Sequence, residues 1–209
     1  TAFADLDAAA TAVSGSSTAD STNTNISGIQ SDDIVIGADG VIQGQAGTQL
    51  DVSASVVDGL ETNEGDAEAT ATIDETKGLD LQTLSVGDSA AGSTGYSILG
   101  RSDVDATISA ESTGADSTGD SANADGQLTD VGGLEIGDWG SDGTGLSVGT
   151  NASIAGVADA VMDATANSID GEVDATAFVG VEGGSKSESG AVGIDLSDAA
   201  SIGTNATVL

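Results

Sequence analysis

The sequence predicts an all-β chain, folded as an elongated β-solenoid or a β-roll-like repeat with short strands. Three observations lead to this class: turn-forming residues are abundant, proline is absent, and short β-branched runs recur with a repeated motif. The chain has 209 residues, with 31 Gly and no Pro. Gly, Ser, Thr, Asp and Asn lower helix propensity, and a sheet ladder is where a missing backbone N–H is least tolerated.

The apolar side chains are small. Hydrophobic residues make up 38% of the chain, but much of that fraction is Ala, and only 2% of residues are aromatic. At roughly 25 cal/mol per Å² of buried apolar surface, Ala contributes much less than Leu or Phe. The composition therefore favours a thin core of stacked layers, as repeat architectures have, over one thick globular centre.

Several β-branched runs, bounded by turn residues, predict strands. They are residues 34–36, 52–57, 70–73, 97–99, 104–108 and 177–181. Residues 4–13 and 156–166 are Ala-rich enough for a turn or two of helix, but the alternation from Val157 to Thr165 favours a strand in the second segment. The Ser/Thr/Asp/Asn-rich residues 14–25 and 112–125 are predicted as loops.

One motif recurs along the chain. Residues 148–154, VGTNASI, return at 202–208 as IGTNATV, and residues 36–44 align with 148–156. The shared pattern is Ile/Val-Gly-x-Asn/Asp-Ala/Gly-x-Ile/Val-x-Gly. Partial copies begin at Val86 and Ile136, and the runs that start at Ile34, Leu84 and Leu134 indicate a unit of about 50 residues. The repeat-motif residues are Gly37, Asp39, Gly87, Gly137, Gly149, Asn151, Gly203 and Asn205.

The motif has a physical interpretation. A β-branched residue points inward, Gly turns the corner, Asn or Asp accepts a left-handed backbone, and a second β-branched residue points inward again. Asn151 and Asn205 are expected to form an amide ladder between successive turns. We expect these side chains to point inward: Ile34, Ile36, Ile42, Val52, Val56, Ile73, Val86, Ile98, Ile108, Ile136, Val148, Ile154, Ile202 and Val208.

At these residues the chain resembles bacterial β-solenoid surface proteins, and residues 148–154 are similar to the short repeats of trimeric autotransporter adhesin heads. The resemblance covers the motif copies and implies a coiled β architecture, secretion and attachment. Through residues 140–146 the chain also resembles calcium-binding nonapeptide repeats. Those sites require tandem copies, and this sequence has one imperfect copy.

The charge balance excludes two classes of partner. Three basic residues, Lys77, Arg101 and Lys186, stand against 35 acidic ones, for a formal net charge of -32. Nucleic acid and anionic membranes both require Lys or Arg at the contact, and no apolar run approaches the ~20 residues of a membrane-spanning helix. We therefore expect no nucleic-acid partner and no membrane insertion. The acidic surface predicts self-repulsion that salt relieves.

The residues needed for catalysis are missing. The chain has no His and no Cys, so nucleophilic catalysis lacks its usual base and thiolate metal sites are excluded. Acidic pairs such as Asp32 and Asp33 are expected by chance in this composition. We predict no catalytic residue and no cofactor other than, at most, Ca²⁺, with Asp138 and Asp142 as its candidate ligands. Trp139 and Tyr96 are candidates for carbohydrate stacking, for filling the end of a solenoid or for a subunit contact.

These observations predict a leader or connecting segment, extended or partly disordered, at residues 1–26 and a β-repeat domain at 27–209. Phe3, Leu6 and Val13 are candidate assembly residues, expected to dock on a sheet edge of a neighbouring copy. The last motif copy reaches Leu209 without a polar cap, which leads us to expect that further chain or another copy continues the fold.

The function expected from the sequence is structural and non-enzymatic. We expect an extracellular or cell-surface protein, a self-assembling filament or fibre subunit whose partners are copies of itself. The alternative is a repeat segment of a large bacterial adhesin or of a phage receptor-binding tail fibre. The two differ in whether the purified chain polymerises without a receptor.

Overall fold

The computed structural model describes residues 1–13, 15–58, 65–92, 97–114, 121–137, 145–169, 171–179, 191–196 and 199–209. Within these ranges the chain forms strands and no helix, which confirms the all-β expectation, and no helix there is long and apolar enough to span a membrane. The strands are β1 (Ala2–Ala12), β2 (Ser17–Ile36), β3 (Ile42–Asp58), β4 (Asp66–Val86), β5 (Ile98–Gly114), β6 (Ser121–Ile136), β7 (Leu146–Val148), β8 (Ser153–Ser168), β9 (Val173–Val179), β10 (Ala191–Leu196), β11 (Ala200–Ile202) and β12 (Thr207–Val208).

The strands form two parallel sheets, and the chain passes back and forth between them, with β6 and β7, and likewise β9, β10 and β11, following one another within sheet B. Sheet A has the order β1-β3-β5-β8-β12. Sheet B has the order β10-β6-β4-β7-β11, with β2 also paired to β4 and β9 to β6. One passage through both sheets, here called a circuit, thus lies directly on the previous one. Residues that occupy the same register position on successive strands form columns, for example Ile42, Ile98, Ile154 and Val208.

Most strands are much longer than the β-branched runs indicated. β2 has 20 residues and β4 has 21, so the expectation of short strands is wrong for both. β1 and β2 also overturn the possible helix at residues 4–13 and the loop at residues 17–25. The reason is that Ala, Ser and Asn can fill inward positions: Ser17, Ala19 and Asn23 are buried on alternate positions of β2. Small side chains alternate as strictly as large ones, although their β propensity is weak.

The core consists of two separate clusters of stacked side chains. One lies between residues 50–56 and 104–110 of sheet A and residues 67–73 and 122–131 of sheet B. The other contains residues 79–86, 134–136 and 146–154 with Ile98. Of the fourteen side chains expected to point inward, nine are buried, Ile34, Ile36 and Ile42 are half-buried against the second cluster, and Ile202 and Val208 are exposed.

Two facing columns of glycine separate the clusters. A Cβ built on Gly133 in sheet B would lie 2.2 Å from the backbone N of Val157 in sheet A, and one on Gly100 would overlap the carbonyl oxygen of Gly133. The sheets therefore touch backbone to backbone along this line, which only Gly permits. The sheet B column is Gly28, Gly78, Gly133 and Gly193; the sheet A column is Gly44, Gly100 and Gly156. We call these two columns the glycine waist.

Candidate assembly interface

The repeated motif folds into one recurring turn. Gly40 N donates to Gly37 O at 3.2 Å, Ala152 N to Gly149 O at 3.3 Å, and Ala206 N to Gly203 O at 3.3 Å. The third residue of each turn has φ of 56°, as a type II turn requires. These third residues are Asp39, Asn151 and Asn205, the positions for which the sequence predicted a left-handed backbone.

Side chains of these turns connect successive circuits. Asn205 Nδ2 lies 3.5 Å from Asn151 Oδ1, and Asn151 Nδ2 donates to Ser89 O at 3.2 Å. Asp39 Oδ1 accepts from the backbone N of Ala90 at 3.0 Å. The amide contact between Asn151 and Asn205 has the arrangement expected of a ladder, and it joins the last two of these turns.

The first glycines of the motif also form a column, but Gly137 lies elsewhere. Backbone N–H groups of Gly87, Gly149 and Gly203 donate to the residue before the glycine in the previous circuit, at 2.7–2.8 Å. Gly137 N instead donates to Leu81 O at 3.0 Å, because Leu134 pairs with Leu79 and not with Leu84. The fifty-residue spacing therefore fails at the third copy: β7, which follows residue 145, takes that place on β4.

A buried lysine forms the main charged cluster that the structure describes. Lys77 on β4 is 4% exposed, and its Nζ lies 2.5 Å from Glu135 Oε2, 3.0 Å from Asp130 Oδ2 and 3.6 Å from Glu75 Oε1. Asp80, also buried, accepts a hydrogen bond from Gln30 Nε2 at 2.7 Å and lies in register with Glu135. One cation is thus surrounded by acidic side chains from two neighbouring circuits.

Burial and nearby charges change the pKa values of both partners of the ion pair. Burial alone would lower the pKa of Lys77, but the hydrogen bond to Glu135 and the charges of Asp130 and Glu135 raise it above its usual value. Burial raises the pKa of Glu135 to about 7, with the Lys77 contact opposing the shift and the charges of Asp130 and Asp80 adding to it. The cluster therefore holds circuits together in a way that depends on pH.

At one end of the stack, the inward side chains of β1 are only half-buried. Leu6, Ala8, Ala10 and Ala12 pack against the first core cluster on one side. In the described structure, β1 pairs with β3 and leaves its other edge open. β1 covers residues 46–56 of β3, whereas β3 already begins at Ile42. This end therefore has a step of four residues.

The opposite end is open in the same way. β12 pairs with Ser153 and Ile154 at the start of β8. Beyond that point, the inward row of β8 is half-buried: Ala158, Ala160, Met162, Ala164 and Ala166. In sheet B, Ile202 is 48% exposed although it stacks on the buried Val148. Each end of the stack thus presents a strand edge with an incompletely buried apolar row.

The outward face of sheet A is acidic. Its strands point Asp side chains to solvent at alternate positions, among them Asp7 and Asp51 in one column and Asp103 and Asp159 in another. Arg101 Nη2 lies 3.4 Å from Asp103 Oδ2, with both side chains about half exposed. Since the side chains alternate strictly, the face that carries charge is the one opposite the apolar core.

The three predicted assembly residues lie in different environments. Leu6 points inward on β1, in register with Leu50. Phe3 points outward, is 65% exposed and lies across Gly47, where a Cβ would come within 2.8 Å of its ring. Val13 follows β1 and is 75% exposed. The predicted leader boundary at residue 26 lies inside β2, and both β1 and β2 belong to the sheets.

Other predicted site residues lie apart from these features. Asp32 is exposed, and Asp33 Oδ1 accepts from Thr83 Oγ1 at 2.5 Å. Asp138, Asp142, Trp139, Tyr96 and Lys186 lie outside the described residues. Within the part of the chain that the structure describes, no group of three or more acidic side chains is arranged to hold a metal ion.

Sequence reasoning missed the Lys77 cluster and the glycine waist, although a second motif marks both. Gly followed by Ile or Leu and then Gln, Asp or Glu occurs at residues 28–30, 59–61, 78–80, 133–135 and 193–195, of which 59–61 lie outside the described residues. The Gly residues of the other four copies form the sheet B column of the waist, and their third residues form the column that contains Asp80 and Glu135. Because its spacing varies from one copy to the next, a search for a fixed period overlooks it.

Comparisons of this chain with protein-family models, with curated proteins and with solved structures find no match.

Proposed function

We propose that this chain is a non-enzymatic structural subunit that assembles with copies of itself into an extracellular filament or fibre. In this proposal the fold is a β-solenoid, and each circuit through sheets A and B is one coil. The observation that carries the proposal is the pair of open ends: the inward rows of β1 and β8 are both half-buried. Another circuit laid on either end would complete the burial.

The arrangement of the strands favours a polymer over a closed dimer. All pairings within both sheets are parallel, so the two ends of the stack differ from each other. A joint between different surfaces is heterologous, and such joints generate open filaments unless the rotation closes a ring. Strand addition supplies main-chain hydrogen bonds, while the net charge of -32 opposes indiscriminate lateral association.

Electron microscopy of the purified chain tests assembly. We expect unbranched fibres of uniform width after concentration in moderate salt, with a reflection at about 4.8 Å along the fibre axis from stacked strands. Immunogold labelling of intact source cells tests the location, and label on external filaments is expected. A chain that stays monomeric up to high concentration and at high salt would contradict the proposal and favour a receptor-binding segment of a larger protein.

A further inference from the structure

Building on the proposed function, we infer the joint itself: residues 2–11 of β1 in one copy pair in parallel with residues 158–167 of β8 in another copy, with Ala2 opposite Ala158. The occupant of each open end is thus a second copy of this chain. The register follows from the columns that already run through sheet A. Ala2 pairs with Ala46, Ala46 with Ser102, and Ser102 with Ala158.

The two ends have complementary steps. β12 and Leu209 hydrogen-bond along the edge of β8 as far as Gly156, and residues 158–167 have no paired strand on this edge in the described structure. β1 occupies the edge of β3 only from Ala46 onward, which leaves the start of β3 at Ile42 open. In the inferred joint, β1 of the next copy and β12 of the first copy lie one after the other along the same edge of β8 and do not overlap. The start of the incoming β3 then lies on that β12.

Side chains match across this joint on the inward face. Leu6 stands in the column of Leu50 and Ala106 and would cover Met162, while Ala8 and Ala10 would cover Ala164 and Ala166. In sheet B, Ile36 and Ile202 belong to one column, so the exposed Ile202 would receive Ile36 of the next copy. The residues exposed at one end thus fit the residues exposed at the other.

A head-to-head joint lacks these features. Two β1 strands related by a two-fold axis would pair antiparallel and could not continue the parallel columns of the core. The steps would also fail to interlock, because each copy would present the same step. A register slip by one residue would turn the Asp side chains of β1 into the core. The head-to-tail register given above is the one that extends every column.

This geometry fixes the subunit repeat along the fibre. From β1 through β3, β5 and β8 to the next β1 there are four strand spacings, which amount to about 19 Å. If β12 instead lay as a separate strand between β8 and the next β1, five strand spacings would give about 24 Å. Fibre diffraction or helical reconstruction measures this value directly, and a repeat near 24 Å would overturn the shared level.

Engineered cysteines test the register, since the chain has no native Cys. Thr11 and Asn167 are exposed and stand in one outward column. Within one copy they are three strands apart, about 14 Å, too far for a disulfide; across the joint they are neighbours. We mix T11C and N167C proteins under oxidising conditions and expect mixed disulfide dimers. T11C with T165C reports a slip of two residues, and T11C or N167C alone reports head-to-head or tail-to-tail pairing.

Microscopy of the same samples separates the possible failures. Fibres together with the T11C–N167C disulfide support the joint. Fibres without that disulfide, or with preferential T11C–T165C or single-variant disulfides, overturn the joint and leave the proposed self-assembly standing. Absence of any assembly in the parent chain overturns the proposed function and the joint together.

Discussion

Lys77 Nζ lies 2.5 Å from Glu135 Oε2, and this ion pair joins two neighbouring strands of sheet B, β4 and β6. Both side chains are almost completely buried. The chain has three basic residues, and Lys77 is buried among carboxylates. The stability of the stack therefore depends on this single cation.

Replacing Lys77 with Met should destabilise the chain strongly. K77M leaves Glu135 buried without its cation, and removing one partner of a buried pair typically costs about 3 to 5 kcal/mol. Urea unfolding at pH 7.5 measures the change. R101M is the matched control, because Arg101 is half exposed and contacts Asp103; its effect should stay below about 1 kcal/mol. Equal effects of the two substitutions would show that the buried contacts of Lys77 do not matter.

The stability of the chain should fall as pH rises from about 4.5 to about 7, through Glu135. Its pKa is about 7 in the folded chain against 4.5 for the unfolded side chain. In that window the folded chain retains a proton that the unfolded chain has released. The contribution is therefore fully present below pH 4.5 and is lost as the pH reaches 7, with a slope of at most about 1.4 kcal/mol per pH unit.

The Gln variant isolates this contribution. E135Q cannot titrate, so the difference in unfolding free energy between the parent chain and E135Q should change between pH 4.5 and 7 and be constant above about pH 8. Urea unfolding across this range supplies the measurement. A difference that does not vary with pH would show that Glu135 has an ordinary pKa.

The glycine waist predicts very different losses of stability for substitutions at two adjacent glycines. A Cβ at position 133 would lie 2.2 Å from Val157 N, whereas one at position 132 finds its nearest atom, Lys77 Cγ, at 3.7 Å. G133A forces the sheets apart and should prevent folding or destabilise it by more than about 3 kcal/mol, the range of severe overpacking. G132A should change stability by less than about 1 kcal/mol. Circular dichroism melts compare them, and similar melting temperatures would contradict the waist.

Charge at the inferred joint should control the rate of assembly. Asp7 and Asp163 stand in one outward column, so the joint places Asp7 of one copy beside Asp163 of the next. Directly opposed like charges are destabilising, and salt screens them, since the Debye length falls from about 10 Å at 0.1 M to 3 Å at 1 M. We expect light scattering to show faster growth of fibres with added NaCl.

The variant D163N should assemble faster than the parent at low salt and should lose part of the salt dependence. D105N removes the same charge from β5, away from the joint, and serves as the control. Equal acceleration by both variants would attribute the effect to net charge alone and would contradict the placement of Asp163 beside Asp7.

The sequence by itself determined the all-β class, the recurring turn and most of the inward rows. These follow from local chemistry: Asp39, Asn151 and Asn205 accept a left-handed backbone, and β-branched residues alternate around the turn. The run at residues 34–36 and its copy at 84–86 even pair in register, as their spacing predicted. The length of the strands was not evident, because Ala, Asp and Asn carry little strand propensity, and the Ser/Thr/Asp/Asn-rich residues 14–25 were assigned to a loop.

Only the tertiary structure decided which residues meet across circuits. Insertions change the spacing between paired strands, so Leu134 lies beside Leu79 and not beside Leu84, and no fixed period reveals this. Nothing beside Lys77 in the sequence identifies its partner, because folding brings Glu135 to it from the next circuit. The roles of Gly133 and Gly156 likewise depend on the contact between two sheets. Local propensity determines the turns, whereas pairing between distant strands determines the register, the buried charge and the open edges.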